Sequence, residues 1–154
     1  QRPDRAPQMI EAHRKPQPRV VEGLLLAKLG VSCAMDLSDG LLGDLPKICE
    51  ASNVQAVIEE DALPIPHAIR WSFPNWFDLA LRGGEDFELL FTCAPELFER
   101  VQTAFARHAC RPPVKIGVIN EVNEKKPQLQ LRRTDRRLEP IEAGAFSHFA
   151  GDPG

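Results

Sequence analysis

The sequence has neither a long apolar run nor an excess of positive charge. Charged residues interrupt its hydrophobic stretches before any of them reaches the roughly 18 residues that a membrane-spanning helix needs. Nineteen basic and 22 acidic side chains give a formal net charge of −3, which argues against a general affinity for nucleic acid or anionic membranes. The start, at Gln1 rather than Met, shows no basic segment followed by an apolar one, so we expect no secretion leader. We therefore predict that neither nucleic acid nor a membrane is a partner.

The cysteines also lack a pattern. None of the four belongs to a C-x-x-C pair, and each has an apolar neighbour in the sequence. A chain of 154 residues that is 43% hydrophobic can build a core without a disulfide framework. We predict reduced cysteines that pack as small hydrophobic side chains, which indicates the cytoplasm as the location.

Several familiar functional motifs are missing as well. The glycines at 83–84 are not followed by the Lys-Ser/Thr of a Walker-type phosphate loop, and Ser38 lacks the G-x-S-x-G setting of a nucleophile elbow. The four histidines have no metal-ligand spacing. The basic residues between 125 and 137 have no aromatic residue among them, which favours a solvated face over an RNA-binding patch.

The apolar pattern that is present predicts alternating helices and strands. Helices are expected over 20–29, from about Asp44 onward, over 76–81 and from Pro95 onward. Strands are expected over 31–37, 56–59, 87–93, 114–119 and 128–132, the last two as a hairpin, with an irregular connection over 61–75. Pro46 places the second helix start near Asp44 or else distorts that helix. Because the alternation is less regular than in a doubly wound sheet, we predict an α+β fold with helices on one face of a mixed sheet.

The stretch Asp36-Leu37-Ser38-Asp39-Gly40 is the first candidate site. It follows a predicted strand and precedes a helix, so its acids are expected in a tight turn at the carboxyl end of the strand, where ligands commonly bind. Two carboxylates this close repel each other unless a cation lies between them, and oxygen ligands suit Mg²⁺. The alternative is that these residues only cap the helix. Asp44 is predicted to be a cap or a solvated residue.

The stretch GGEDFELLF, residues 83–91, is the second candidate. Its two glycines allow a close approach by another backbone, and Glu85 and Asp86 stand at the mouth of an apolar strand. Acids in this position need either water or a cationic partner. A glycine turn that carries two exposed acids is the alternative.

Taken together, the motifs and their order resemble the carboxyl-terminal half of the thiamine-monophosphate kinases. These kinases belong to a superfamily that includes aminoimidazole ribonucleotide synthetase. The resemblance runs through PQPR at 16–19, MDLSDGLLGDL at 35–45, LP at 63–64, GGEDFELLF at 83–91, IGVI at 116–119 and GAFSHF at 144–149. The GGED element followed by an aromatic residue is more specific to the kinases than D-x-S-D-G-L, which recurs across the superfamily.

The resemblance implies an activity and a set of roles. The family uses ATP and Mg²⁺ to phosphorylate thiamine monophosphate to thiamine diphosphate. It implies Asp36 and Asp39 as Mg²⁺ ligands, Ser38 as an ATP contact, and Glu85 and Phe146 as contacts of the thiamine substrate.

The resemblance also implies a domain arrangement. Residues 1–19, rich in Pro, Arg and Gln, are expected to be an incoming linker, and residues 20–150 the substrate- and metal-binding carboxyl-terminal domain. The family's amino-terminal domain, which binds ATP and forms a homodimer, is absent from this sequence, so the chain alone is expected to fold without activity. Two alternatives are another ATP-using synthetase of the superfamily and a non-catalytic binding module.

Overall fold

The computed structural model describes residues 10–12, 14–123 and 128–144. The helices are α1 (Val20–Leu29), α2 (Leu41–Ser52), α3 (His67–Ser72), α4 (Trp76–Arg82) and α5 (Pro95–Arg107), and a short 3-10 helix spans Glu60–Ala62. The strands are β1 (Cys33–Asp36), β2 (Val54–Glu59), β3 (Leu89–Thr92), β4 (Gly117–Glu121), β5 (Leu129–Arg132) and β6 (Leu138–Pro140). Within the described ranges, no helix has the length and apolar character needed to cross a membrane.

The strands divide between two sheets. β1 pairs with β3 in antiparallel fashion, with Asp36 opposite Leu89. The second sheet has the order β4-β2-β5-β6, and β2 runs antiparallel to β4 and parallel to β5. The predicted α+β class with a mixed sheet is therefore confirmed.

The predicted hairpin between β4 and β5 is wrong, because β2 lies between these two strands. The physical reason is the burial of β2, in which four successive residues, 55–58, are buried. A strand that is covered on both faces takes a central position, and its neighbours come from distant parts of the chain. β4 is largely exposed and forms an edge of the sheet.

Two other boundaries differ from the predictions. The segment 61–75 is not wholly irregular, since it contains α3, with Pro66 at the amino-terminal cap, where a missing N–H costs nothing. The strand predicted over 87–93 is shorter, because Phe87 takes a left-handed φ of 48° and regular pairing begins at Leu89.

Helix α1 ends as predicted at Gly30, whose φ of 86° lets its N–H bond back to the last turn. Helix α2 begins at Leu41, three residues before the predicted start, so Pro46 lies inside it. Since Pro46 has no N–H, the carbonyl of Leu42 loses its usual helical partner. The N–H of Gly144 donates to this carbonyl instead, at 2.9 Å.

The β1–β3 pair lies between two hydrophobic clusters. Leu90 faces a core that α2 shares with β2 and β5, whereas Leu89 and Phe91 face a second core between α1 and α5. Because alternate residues of a strand point to opposite faces, this short pair is held from both sides. The end of the pair where β1 stops and β3 starts is thereby fixed. The four cysteines are free thiols, as predicted.

Candidate functional site

The two sequence motifs lie side by side at this end of the β1–β3 pair. The N–H of Leu37 donates to the carbonyl of Glu88 at 2.8 Å, and the N–H of Phe87 donates back to Leu37 at 2.9 Å. One residue further, the N–H of Glu85 donates to the carbonyl of Ser38 at 3.0 Å. The segments 36–40 and 83–88, about fifty positions apart in the sequence, therefore form one surface, which we call the candidate site.

Two glycines make this approach possible. A Cβ atom on Gly84 would lie 2.4 Å from the carbonyl oxygen of Ser38. Gly40 has a left-handed φ of 82°, and a Cβ there would lie 2.7 Å from the carbonyl carbon of Arg82. The glycines of both motifs thus serve the predicted close approach, and each approaches the other motif.

Asp44 organises the turn of the first motif from inside the protein. Its side chain is 0% exposed, and its Oδ2 accepts the N–H groups of Ser38 and Asp39, each at 2.9 Å. Lys47 donates from Nζ to Oδ1 of Asp44 at 2.7 Å and to Oδ2 of Asp39 at 2.6 Å. Burial acts to raise the pKa of Asp44, but these hydrogen bonds outweigh it and hold that pKa below its ordinary value.

The prediction that Asp44 is a cap or a solvated residue is therefore wrong in its second alternative, because the side chain is fully buried. Helical spacing puts Asp44 on the same face as Leu41, three residues before it, and Ile48, four residues after it, both of which are buried. A helix that starts near Asp44, as the sequence predicts, leaves Leu41 outside it, so the spacing between Leu41 and Asp44 does not indicate burial.

The structure brings four of the five predicted site residues to the candidate site. Asp36 is exposed at the end of β1, and the side chain of Asp39 is 51% exposed beside Lys47. The backbone of Ser38 is held on both sides, by Asp44 and by Glu85, so its hydroxyl stands on a fixed turn. Glu85 is exposed and takes a left-handed φ of 69°. Phe146 lies outside the described residues.

Glu88 connects the candidate site to the start of α1. Arg19 donates to both carboxylate oxygens of Glu88, at 2.9 and 2.7 Å, and Arg111 donates to one of them at 2.9 Å. The hydrogen bond with Glu88 raises the pKa of Arg19. Two arginines compensate Glu88, and Lys47 pairs with Asp39. The exposed carboxylates of Asp36 and Glu85 and the half-exposed carboxylate of Asp39 remain accessible to a ligand.

The donor set fits a magnesium ion that keeps most of its shell for other ligands. Among the described residues no group of three or more His, Cys, Asp or Glu side chains could hold a metal ion, so no all-protein cage is present there. Mg²⁺ is usually bound by one or two carboxylates together with waters and phosphate oxygens, and Asp36 and Asp39 can supply such carboxylates. A cation at Asp39 would share this side chain with Lys47 or displace it.

Comparison with known families agrees with this fold. The profile of the family described as AIR synthase related protein, C-terminal domain, matches residues 2–130. The chain belongs to this family.

Within the family, the chain is similar to thiamine-monophosphate kinases. It is 38% identical over 141 residues to the thiamine-monophosphate kinase of Bacillus subtilis (strain 168), covering 91% of this chain and 42% of that protein. The crystal structure of thiamine-monophosphate kinase from Stenotrophomonas maltophilia K279a is 33% identical with a TM-score of 0.69, over 89% of this chain and 40% of that one. AaThiL complexed with AMPPCP and TMP shares the fold, with a TM-score of 0.66 at 24% identity, over 88% of this chain and 40% of that one. The chain thus spans less than half the length of these relatives.

Proposed function

We propose that this chain is the substrate- and metal-binding part of a thiamine-monophosphate kinase, which transfers the γ-phosphoryl group of ATP to thiamine monophosphate. The observation that carries the proposal is the joining of segments 36–40 and 83–88, the two stretches that resemble this kinase family, into one acidic surface. Phosphoryl transfer depends mainly on positioning and electrostatics, so a rigid turn with carboxylates and a hydroxyl can contribute to it without supplying a protein nucleophile. A structure that shares this fold is a complex with AMPPCP, an ATP analogue, and TMP, which supports ATP and thiamine monophosphate as the ligands here.

In this proposal each candidate residue has one task. Asp36 and Asp39 hold Mg²⁺, which when bound neutralises phosphate charge, and Ser38 donates a hydrogen bond to ATP. Glu85 attracts the cationic thiazolium ring, and Phe146 offers it an aromatic face. The left-handed φ of Glu85 costs about 1–2 kcal/mol of conformational energy, because the residue has a side chain. Backbone strain of this kind is typical of a position held for a ligand.

The proposal extends to the whole protein. Residues 20–150 form the substrate- and metal-binding domain, residues 1–19 lead into it, and a preceding domain completes the nucleotide pocket and a homodimer. The protein acts in the cytoplasm. It binds neither membrane nor nucleic acid. In support of this, three of the four arginines between 132 and 137 are paired with acids, Arg132 with Glu59, Arg133 with Glu139 and Arg137 with Asp135.

The direct test supplies the full-length protein with ATP, Mg²⁺ and thiamine monophosphate and measures thiamine diphosphate and ADP. Equal amounts of both products support the proposal. Turnover of an aminoimidazole nucleotide precursor instead would assign the protein to another synthetase of the superfamily. The absence of both turnover and binding heat with either substrate would indicate a non-catalytic module.

Asp39→Asn tests the metal ligand. Loss of the charge should lower Mg²⁺ affinity on the order of 10–100-fold, the scale known for groups that support metal ligands. Titration calorimetry with Mg²⁺ and the nucleotide measures this effect. The matched control is Asp135→Asn, because Asp135 is 52% exposed and pairs with Arg137 at 2.6 Å, much as Asp39 is 51% exposed and pairs with Lys47 at 2.6 Å. Equal Mg²⁺ affinity in the two variants would remove Asp39 from the metal site.

Glu85→Gln tests the substrate contact. Without the carboxylate, the KM for thiamine monophosphate should rise about tenfold, which corresponds to the loss of roughly 1.4 kcal/mol of attraction to the cationic ring. The KM for ATP should change less. Glu96→Gln, which alters an exposed acid in the first turn of α5, is the control and should change neither constant. A larger effect of Glu85→Gln on ATP than on thiamine monophosphate would reject the assignment.

A further inference from the structure

The segment 141–144, which follows β6, is fixed next to the candidate site by residues that adjoin its two segments. The N–H of Gly144 donates to the carbonyl of Leu42 at 2.9 Å, in the first turn of α2. Arg82 donates from Nη1 to the carbonyl of Gly144 at 3.0 Å and from Nη2 to the carbonyl of Glu142 at 3.3 Å. At the other end of the segment, the N–H of Ile141 donates to the carbonyl of Leu129. We call the contacts of Arg82 and Leu42 with this segment the clamp.

The acceptor in α2 exists because of a proline. In a regular helix the carbonyl of Leu42 would accept the N–H of residue 46, but Pro46 has none. A proline inside a helix is ordinarily costly, and here the carbonyl that it leaves free is satisfied by Gly144. Pro46 therefore provides a binding point for the carboxyl-terminal segment.

Arg82 is equally prepared for this contact. It lies in the last turn of α4, and Asp78, one turn earlier, holds its Nε at 2.9 Å. This brace directs the two terminal nitrogens toward the carbonyls of Glu142 and Gly144. Arg82 also directly precedes the glycines of the second motif, and its backbone packs against Gly40 of the first. The clamp therefore adjoins both motifs.

The clamp fixes the end of the described segment relative to α2 and α4. Gly144 is held by the carbonyl of Leu42 and by Nη1 of Arg82, the residue that directly precedes the Gly83–Glu85 loop. Without the clamp, residues 141–144 and the end of α4 would no longer hold each other, and ordering them would oppose substrate binding.

We propose that Arg82 is a positioning residue for the thiamine substrate. It joins residues 141–144, which the Leu42 carbonyl left free by Pro46 also holds, to the end of α4, and thereby fixes the start of the Gly83–Glu85 loop. This inference rests on the proposed function for the identity of the substrate. The clamp itself is independent of it, since it consists of contacts within the chain.

The first experiment measures the clamp without any substrate. Amide hydrogen exchange of the full-length protein is followed by mass spectrometry in peptides that cover residues 141–144. Arg82→Met should accelerate exchange in these peptides about tenfold or more, since it opens a locally held segment. Arg107→Met is the matched control, because Arg107 is also in the last turn of a helix, and it should leave these peptides unchanged. Arg82→Lys retains the positive charge but loses the planar guanidinium donors, so it should give an intermediate exchange rate. This variant replaces Arg82→Met in the experiment if the methionine variant fails to fold.

The second experiment measures positioning. Arg82→Met should raise the KM for thiamine monophosphate about tenfold and leave the KM for ATP within about twofold, a split that general destabilisation would not produce. Unchanged exchange at 141–144 in both Arg82 variants would overturn the clamp, and faster exchange with an unchanged KM for thiamine monophosphate would overturn its role in positioning. If the unmodified protein does not phosphorylate thiamine monophosphate, the proposed function fails, while faster exchange in Arg82→Met still supports the clamp.

Discussion

Asp44→Ala should lower the free energy of unfolding of this chain by about 2–5 kcal/mol, because it removes a buried acceptor shared by three donors. The N–H groups of Ser38 and Asp39 would lose the oxygen that they both contact, and Lys47 would lose one of its two carboxylates. Since these groups shape the turn that carries Ser38 and Asp39, turnover of the full-length protein should be lost as well. Urea unfolding followed by circular dichroism measures the first effect, and a product assay measures the second.

The control for this prediction is Asp39→Ala. Asp39 binds the same ammonium group at nearly the same distance, but its side chain is 51% exposed, whereas that of Asp44 is 0% exposed. A half-exposed pair contributes within about 1 kcal/mol, so stability should change little. If the two alanine variants were equally stable, the structural role of Asp44 would be refuted.

The pH dependence of the same contribution has a definite sign. Hydrogen bonds hold the pKa of Asp44 in the folded protein below its ordinary value. Its stabilising effect is therefore complete above the unfolded value of about 3.9 and is lost as the pH falls through the lower, folded value. The difference in unfolding free energy between the unmodified chain and Asp44→Asn should be constant near neutral pH and shrink below about pH 4.

Gly84→Ala should separate the two motifs. The added methyl group would lie 2.4 Å from the carbonyl oxygen of Ser38, a backbone atom that cannot rotate away. Relief of this clash moves one segment and breaks the hydrogen bond from Glu85 to Ser38, at a cost of about 2–4 kcal/mol. A displacement near 1 Å within a catalytic site costs about 100-fold in rate, so kcat of the full-length protein should fall on that scale.

Gly30→Ala separates this steric effect from ordinary backbone strain. Gly30 has a left-handed φ of 86°, but nothing lies within 4 Å of an added Cβ. That variant should lose only about 1–2 kcal/mol of stability and keep its turnover. Thermal unfolding and steady-state kinetics on both variants distinguish them, and equal activity would mean that the approach of Gly84 to Ser38 is not needed.

The local parts of this structure followed from the sequence. Hydrophobic spacing and Gly30 defined α1, and Pro95 correctly marked the start of α5, because both signals act within one or two turns of a helix. The acids and glycines of the two motifs also stood out, since carboxylates beside apolar residues require a special environment.

Most of the features that could not be predicted from the sequence depend on contacts between residues far apart in the chain. The insertion of β2 between β4 and β5 joins three separate parts of the chain, and no local pattern specifies that order. The burial of Asp44 depends on a helix start that Pro46 obscured, and the value of Pro46 itself depends on Gly144, almost a hundred positions away. For the strand order and for Pro46, the stabilising partner lies far away in the sequence. The partners of Asp44, namely Ser38, Asp39 and Lys47, lie within six residues, and the expected helix start near Asp44 obscured them.

The bridge that Lys47 makes between Asp39 and Asp44 has a consequence for the speed and strength of binding. The turn from Ser38 to Gly40 keeps its shape through partners within the chain, because the ammonium group of Lys47 already offsets the repulsion between Asp39 and Asp44. Such a site is preorganised, so an arriving ligand does not have to order the loop and avoids an entropic cost of about 0.5–1.5 kcal/mol for each side chain that would otherwise be immobilised. The exchange of one cation for another at Asp39 then becomes the main rearrangement that binding requires.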